Sequence, residues 1–132
     1  MPGSTKFSYD AKRNIVSVEP HWELSSREEV DRFFAEYVRY LSSLNREVYM
    51  LADISHLKIH PSLVEYYGEM SRTSVLDHLL GFARFGGASY DRMLIRFSTL
   101  KAHLDPNIYA TREEALAAIE EMQRSTANRP PG

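Results

Sequence analysis

Two short segments near the start of the chain alternate polar and apolar side chains. In KFSYD, Phe7 and Tyr9 are separated by Ser8, and in NIVSVEP, Val16 and Val18 flank a serine. Alternation with a period of two is typical of half-buried strands. The turn-like AKR between the segments therefore predicts a β-hairpin.

The strongest helical pattern follows the hairpin. Its apolar positions are spaced three and four residues apart, as in one stripe of an amphipathic helix. These positions are Val30, Phe33, Phe34, Tyr37, Val38, Leu41 and Leu44. Ser26 and Glu29 form the capping-box pattern that starts a helix. The sequence therefore predicts a first helix beginning at Ser26.

A nearly continuous apolar run, residues 48–54, comes next and is too short for a confident helix. Such a run predicts a central strand that is covered on both faces. Pro61 then stands where a first helical residue is expected, because its fixed φ suits that position. Leu63, Tyr66, Tyr67 and Met70 continue with helical spacing. We therefore expect a strand, a polar break and a second helix.

The second half of the chain repeats this order of strand and helix. Residues 81–85 predict a strand that ends at Gly86 and Gly87, and Ser89 is expected to cap a third helix. That helix is assigned an inward stripe of Met93, Leu94, Phe97, Leu100 and Leu104. PNIYA predicts a last strand. A last helix is expected to be capped by Thr111 with Ala115, Ile119 and Met122 inward.

The predicted order is β-β-α-β-α-β-α-β-α. Strands that alternate with helices indicate an α/β fold with a mixed, mainly parallel sheet. We expect a single domain over residues 6–124, since 132 residues is the size of one domain. Residues 1–5 and 125–132 are small, polar and rich in Pro or Gly, and are predicted to be disordered ends.

Composition narrows the classes of function. The chain has no cysteine, which excludes disulfides, thiolate catalysis and cysteine zinc sites. Its net charge of −2 argues against nucleic acid as a partner, because phosphate binding needs a concentrated basic face. No apolar run reaches the roughly 20 residues of a membrane span, and the first residues lack a signal-peptide core. We therefore expect a cytoplasmic protein.

The stretch DISHLKIHPSLV, together with the order of elements, resembles the STAS domain of bacterial anti-sigma-factor antagonists. In this resemblance Asp53, Ser55, Leu57 and Ile59 match in character, and Ser62 falls on the serine that the family phosphorylates. The resemblance implies a STAS-like fold and a regulatory protein partner, such as a kinase or an anti-sigma-like factor.

The neighbours of Ser62 depart from the family pattern. Pro61, Leu63 and Val64 replace the family's Asp, Ser or Thr, and Gly. A kinase would therefore meet a different surface. A serine in the first turn of a helix still lies beside unpaired N–H groups that can stabilise a phosphate. The alternative is a serine that only starts a helix.

Several other residues are candidates for binding. We assign Ser62, Asp53, Ser55 and His60 to a phosphorylation or interaction site. We assign a ligand or partner surface to Tyr66, Tyr67, Gly86, Gly87 and Ser89. His56 and His60 have the i, i+4 spacing that binds metal on a helix, but Pro61 indicates that they precede it. We predict no metal site, no cofactor and no catalytic residue.

The leading functional prediction is a non-catalytic regulatory or protein-interaction module. The alternative is a carrier of a small molecule or lipid, since the end of the chain, IYATREEALAAIEEM, also resembles STAS-like proteins that are grouped with lipid-binding SEC14-type domains. A carrier needs a concave apolar pocket of about 300 Å³ or more. A homodimer is also predicted as an option, because edge strands and tyrosines offer contacts.

Overall fold

The structure is a computed structural model that describes residues 3–101 and 107–127. The strands are β1 (Ser4–Asp10), β2 (Ile15–Leu24), β3 (Val48–Asp53), β4 (Leu57–Ile59), β5 (Leu79–Phe85) and β6 (Ile108–Tyr109). The helices are α1 (Arg27–Leu44), α2 (Val64–Ser74), α3 (Ser89–Lys101) and α4 (Arg112–Ala127). Short 3₁₀ turns at Pro61–Leu63 and Leu76–His78 flank α2.

The strands form one sheet in the order β1-β2-β3-β5-β6, and β4 pairs with the far end of β2. The β1–β2 hairpin is antiparallel, and the other pairings are parallel. The prediction of an α/β fold with a mixed, mainly parallel sheet is therefore confirmed. The predicted order lacked only β4.

Strand β4 occupies the stretch that the sequence predicted as a polar break. Leu57 and Ile59 are buried, and the exposed Lys58 lies between them. The strand is added to the last three residues of β2, with Trp22 opposite Leu57. Three residues carry too little alternation to be recognised alone, so the partner strand determines this element.

The predicted ends of the domain need correction at both sides. β1 begins at Ser4 rather than Lys6, because Ser4 and Thr5 pair with His21 and Pro20 of β2. α4 continues to Ala127, beyond the predicted boundary at residue 124. Residues 1–2 and 128–132 of the predicted disordered ends lie outside the described residues, and the single-domain assignment stays a prediction.

The main core lies between the sheet and helices α1 and α2. The stripe of α1 is inward as predicted, with Val30, Phe33, Phe34, Tyr37 and Leu41 buried. The Ser26 hydroxyl accepts a hydrogen bond from the Glu29 N–H at 3.2 Å, which confirms the predicted cap. The rings of Phe33, Phe34 and Tyr67 pack together and join α2 to this core.

Helix α4 covers part of the other face of the sheet. Its buried Ala115 and Ile119 pack with Ile15, Tyr49 and Leu51, which agrees with the predicted inward face of this helix. Helix α4 does not cover β1 on this face, since Lys6, Ser8 and Asp10 of β1 are exposed. One end of this face of the sheet is therefore open and polar.

The predicted inward face of α3 is wrong except at Leu94. Met93, Phe97 and Leu100 are 56%, 51% and 56% exposed, whereas Leu94 and Ile95 are buried. Thr99, also buried, accepts a hydrogen bond from Arg84 of β5. This polar contact and Ile95 fix the inward face, so the longer apolar stripe is turned outward; Leu104 lies outside the described residues.

Candidate interaction surface at the strand-to-helix joint

The end of β3 is closed by a turn that Asp53 holds. Its Oδ1 accepts hydrogen bonds from the Ser55 N–H at 3.0 Å and from the Ser55 hydroxyl at 2.5 Å. A carboxylate that bonds the backbone two residues later forms an Asx turn. Asp53 and Ser55, predicted as site residues, are therefore brought together, and Ser55 is exposed.

The turn after β5 lies directly against this Asx turn. β5 is the neighbour of β3, with Asp53 opposite Phe85, and the Ile54 N–H donates to the Phe85 carbonyl at 2.9 Å. A Cβ on Gly86 would collide with Ser55 Oγ and lie 3.0 Å from Asp53 Oδ1. The two turns are therefore adjacent.

Gly86 and Gly87 have φ values of +88° and +81°, which favour glycine. Ser89 is the first residue of α3 rather than its cap, so its predicted capping role is corrected. The start of this helix is instead held by Arg92, whose Nη1 donates to the Gly87 carbonyl at 2.8 Å. The exposed Ser89 hydroxyl remains at the surface.

Ser62 lies exposed in the 3₁₀ turn that leads into α2. His60 caps this turn, since its Nδ1 accepts a hydrogen bond from the Ser62 N–H at 3.2 Å. A ring nitrogen that accepts from a backbone N–H carries no proton, so the Ser62 hydroxyl, 2.8 Å away, donates to the same atom. Ser62 is therefore a surface hydroxyl held by one histidine.

We call Asp53, Ser55, His60, Ser62 and the turn 86–89 the joint surface. The prediction that Tyr67 belongs to such a surface is corrected, because Tyr67 is 5% exposed and packs on Phe33 and Phe34. Desolvation accordingly raises the pKa of the Tyr67 hydroxyl.

Tyr66, on the adjacent position of α2, is half-buried and packs at the edge of the core. Its hydroxyl donates to Asp31 of α1, and the Arg27 guanidinium lies 4.7 Å from its ring centre. The hydrogen bond to Asp31 raises the pKa of Tyr66. Tyr66 therefore joins α1 to α2 and is not part of the turn cluster.

The histidine pair considered from the sequence is separated by β4. Residues four apart in a strand are about 13 Å apart along its axis. His56 instead stacks on His21 of β2, with ring centres 4.4 Å apart. Within residues 3–101 and 107–127, no group of three His, Asp or Glu side chains is placed to hold a metal ion.

A charged cluster surrounds this histidine stack. His21 Nε2 lies 2.6 Å from Glu19 Oε2, and because a carboxylate only accepts, Nε2 carries the proton. Lys6 Nζ is 3.7 Å from the same carboxylate oxygen. The hydrogen bond with His21, followed by the charge of Lys6, lowers the pKa of Glu19.

A polar groove of about 590 Å³ runs beside the histidine stack and reaches the joint surface at Ser55. Its lining consists of Gly3, His21, Trp22, Glu23, Ser25, Glu29, Ser55, His56 and Lys58. Trp22 itself is 5% exposed and belongs to the core, and its Nε1 donates to Thr5 and Glu36. The groove is open and mainly polar rather than a closed apolar pocket.

The interior between the sheet, α1 and α2 is filled. A cavity of about 20 Å³ remains beside Tyr37, Tyr67 and Arg84, which is room for about one water molecule. A second open groove, of about 380 Å³, crosses the uncovered sheet face near Leu51, Phe85 and Arg112. Of these two spaces between described residues, the open groove is the one with room for a ligand of the carrier type.

No protein-family model matches the sequence, and no curated protein is significantly similar to it. Solved structures do match. One is described as the anti-sigma factor antagonist SpoIIAA in its unphosphorylated form, and it superposes with a TM-score of 0.58. The match covers 89% of this chain and 97% of that chain at 15% sequence identity. The chain has the STAS fold of SpoIIAA.

At 15% identity the likeness establishes the STAS fold, and function is argued from the residues themselves. None of the helices in the described ranges is long and apolar enough to cross a membrane. Within the joint surface, Asp53, Ser55 and the turn 86–89 lie where parallel strands β3 and β5 end, which is where open α/β sheets commonly place their binding sites. His60 and Ser62 lie further along the chain, after β4.

Sequence reasoning missed Glu19, His21 and Lys58 as neighbours of the joint. The alternation in VSVEPHWEL contained a usable signal, because it places Glu19 and His21 on the face opposite Val18 and Trp22. Recognising it requires knowing that β2 continues past Pro20. The stack of His21 on His56 has no local sequence signal, since it depends on the pairing of β2 with β4.

Proposed function

We propose that this chain is a non-catalytic protein-interaction module of the STAS fold, and that the joint surface is its binding face. The observation that carries the proposal is Ser62, exposed at the start of the turn into α2 and held in place by His60. A buried Ser62 would have removed this surface from contact with a partner.

The structure of the joint surface supports the proposal that its partner is a macromolecule. Its hydroxyls, Ser55 and Ser62, are exposed, while the backbone beneath them is held by Asp53, His60 and the Gly86 turn. A surface that is ordered before binding loses little conformational entropy when a partner docks. Such rigid polar surfaces suit protein recognition better than enclosure of a small ligand.

The chemistry expected of the partner follows from the likeness to an anti-sigma factor antagonist. A regulatory protein of the anti-sigma type, or a kinase that modifies Ser62, fits the exposed hydroxyl. A phosphate on Ser62 would displace its hydrogen bond to His60 and add nearly two negative charges beside the first turn of α2. Glu65 in that turn would oppose the added charge.

The test is affinity capture from the native cell with the full chain as bait. We expect a protein that binds the wild type and is lost with Ser55→Arg and Ser62→Arg, because each places a bulky charge on the joint surface. Thr73→Arg, an equal change on an exposed position of α2, is expected to leave capture intact. Equal capture by all four proteins would place the contact elsewhere.

Phosphorylation of Ser62 is tested separately by phosphopeptide mass spectrometry of the native protein. If Ser62 is a switch, phosphate appears there under some growth conditions and Ser62→Glu alters capture where Ser62→Ala does not. If Ser62 stays unmodified under all growth conditions, the phosphorylation switch is refuted, while the proposed interaction module is unaffected.

The alternative function is a surface carrier of a small amphipathic ligand. The groove of about 380 Å³ supports it, because its lining combines the apolar Leu51 and Phe85 with the charged Lys6 and Arg112. That volume lies within the range of ligand pockets. Native mass spectrometry of protein from its own cell tests this function, since a ligand of defined mass that is lost with Phe85→Ser would support it.

A further inference from the structure

Strand β1 forms one edge of the sheet. In the part of the chain that the structure describes, β1 pairs with β2 alone, from Ser4 opposite His21 to Asp10 opposite Ile15. Along its outer side, every second residue therefore presents N–H and C=O groups that have no strand beside them. This edge is seven residues long and contains no proline.

Natural sheets usually protect such an edge with short strands, proline, bulges or charges. The register of β1 on β2 is continuous and has no bulge. Its charged residues are Lys6 and Asp10, and both are exposed on the open face. The Lys6 side chain is 76% exposed, so its ion pair with Glu19 leaves it free to reorient. Asp10 Oδ1 accepts hydrogen bonds from the N–H groups of Lys12 and Arg13, and its Oδ2, 3.9 Å from Arg13 Nε, is the oxygen that a second Lys6 would approach. The edge is thus open to another strand.

We propose that a second copy of the chain pairs with this edge, so that two β1 strands run antiparallel about a two-fold axis at Ser8. In that register Lys6 of each copy lies opposite Asp10 of the partner subunit, and Phe7 lies opposite Tyr9 of the partner subunit. The strand is self-complementary, because the ion pair and the aromatic pair each form twice. A two-fold axis requires this kind of matching.

The faces of the sheet agree with this arrangement. Phe7 and Tyr9 lie on the helix-covered face, and Lys6, Ser8 and Asp10 lie on the open face. Directly opposed residues of antiparallel strands share a face, so aromatic side chains meet aromatic ones and charges meet charges. Tyr40, half-buried and stacked on Phe7 with ring centres 4.4 Å apart, would be covered further.

A neighbouring register, with the axis at Phe7, keeps the same faces but loses the charge matching. It would place Lys6 opposite Ser8 of the partner subunit and Asp10 opposite Ser4 of the partner subunit. The opposite charges of Lys6 and Asp10 therefore favour the axis at Ser8. The β1 edge is distinct from the joint surface, so this dimer does not depend on the proposed function and would present that surface twice.

The mass of the full chain in solution is the first measurement. Sedimentation equilibrium is expected to give a dimer of the 15.2 kDa chain. A wild-type chain that stays monomeric at about 100 µM, where even a micromolar contact is occupied, would overturn the proposal. Because a dimer mass alone does not locate the interface, the second measurement uses variants with a charge placed at the proposed axis.

Ser8 is the diagnostic position, because only an axis at Ser8 places this residue opposite itself. Ser8→Lys and Ser8→Asp each set like charges against each other and are expected to weaken the dimer about tenfold or more. An equimolar mixture of the two variants is expected to restore a dimer, now with unlike subunits. Ala117→Lys, exposed on α4, is the matched control and should dimerise as the wild type does.

The other outcomes each overturn the proposal. An axis at Phe7 would set the carboxylate introduced by Ser8→Asp against Lys6 of the partner subunit, so tighter association of this variant would assign that register instead. Unchanged dimers in both Ser8 variants would move the contact to another surface. If the Ser8→Lys and Ser8→Asp variants are both folded monomers that fail to associate when mixed, pairing of two β1 strands is excluded. If a foreign peptide binds at this edge and no dimer forms, the edge binds a different partner.

Discussion

Arg84 Nη1 donates a hydrogen bond of 3.2 Å to Thr99 Oγ1, and both residues are buried. This contact joins β5 to the inward face of α3. Desolvation lowers the pKa of Arg84, while a guanidinium still keeps its charge at neutral pH. A buried charged group that loses a partner is costly, so α3 is held as much by polarity as by apolar packing.

Replacement of Thr99 by Val tests this contact. The variant keeps the shape of the side chain but removes the acceptor for Arg84, so the free energy of unfolding should fall by about 1–3 kcal/mol. Urea unfolding of the purified chain measures it. Thr99→Ser retains the hydroxyl and is expected to lose less; equal losses in the two variants would assign the effect to the methyl group.

Replacement of Gly86 by Ala should destabilise the joint. The φ of +88° disfavours a side chain by about 1–2 kcal/mol, and the added Cβ collides with Ser55 Oγ. Gly87→Ala is the control, because φ is also positive there but its nearest contact is Ile54 O at 3.3 Å. Thermal or urea unfolding should rank Gly86→Ala as the less stable variant.

A double-mutant cycle separates the collision at Gly86 from the backbone strain. In a Ser55→Ala background the Oγ is absent, so the additional cost of Gly86→Ala should shrink. Additive losses, with no coupling between the two substitutions, would show that Ser55 and Gly86 do not compete for the same space.

Glu29 predicts a specific dependence of stability on pH. Hydrogen bonds from Ser25 and then Ser26 lower the pKa of this carboxyl in the folded state. Its stabilising effect is therefore full above the unfolded pKa of about 4.3 and is lost as the pH falls through the lower folded pKa. Glu29→Gln should be less stable than wild type at pH 7 and equal to it at low pH.

This difference is measured by unfolding both proteins across the acid range. The amide oxygen of Gln still accepts the capping hydrogen bonds, so the comparison isolates the charge. A difference between the two proteins that stays constant from pH 7 down to acid pH would contradict the assignment to ionised Glu29.

His60 is predicted to stabilise the start of α2 through its cap on Ser62. His60→Ala removes the acceptor of the Ser62 N–H and should cost about 1 kcal/mol. His60→Asn supplies a short side-chain oxygen that is favoured at such positions and should recover part of the loss. Hydrogen exchange at the Ser62 amide measures the effect locally, and unchanged protection in His60→Ala would refute the cap.

The sequence predicted those elements whose pattern is local. Helix α1 is the clearest case, because its buried stripe and the Ser26 cap are encoded within about 20 neighbouring positions, close to the length over which helical periodicity is read. The strand-to-helix joint was also recognised, since Pro61 fixes the start of a turn. Asp53 and Ser55 lie in this joint, and their hydrogen bonds join residues two apart. Their role as site residues stays a prediction.

The features that were missed depend on residues far apart in the chain. Helix α3 has apolar side chains on both faces, and the contact of Thr99 with Arg84, together with the buried Ile95, decides which face is inward. In the same way, β4 exists because β2 extends beyond β3. The burial of Tyr67 rather than Tyr66 is decided by the rings of α1.

The long strand β2 has two different parallel partners on one side, and Pro20 lies in the interval between them. Residues 15–18 pair with β3 and residues 22–24 pair with β4. A proline has no N–H to donate, so it is tolerated where a strand lacks a neighbour and penalised where it has one. Sliding β2 by two residues would preserve its inward and outward faces but would bring Pro20 against one of these partners. Pro20 therefore disfavours a two-residue shift in the register of β2, which hydrophobic alternation alone cannot prevent.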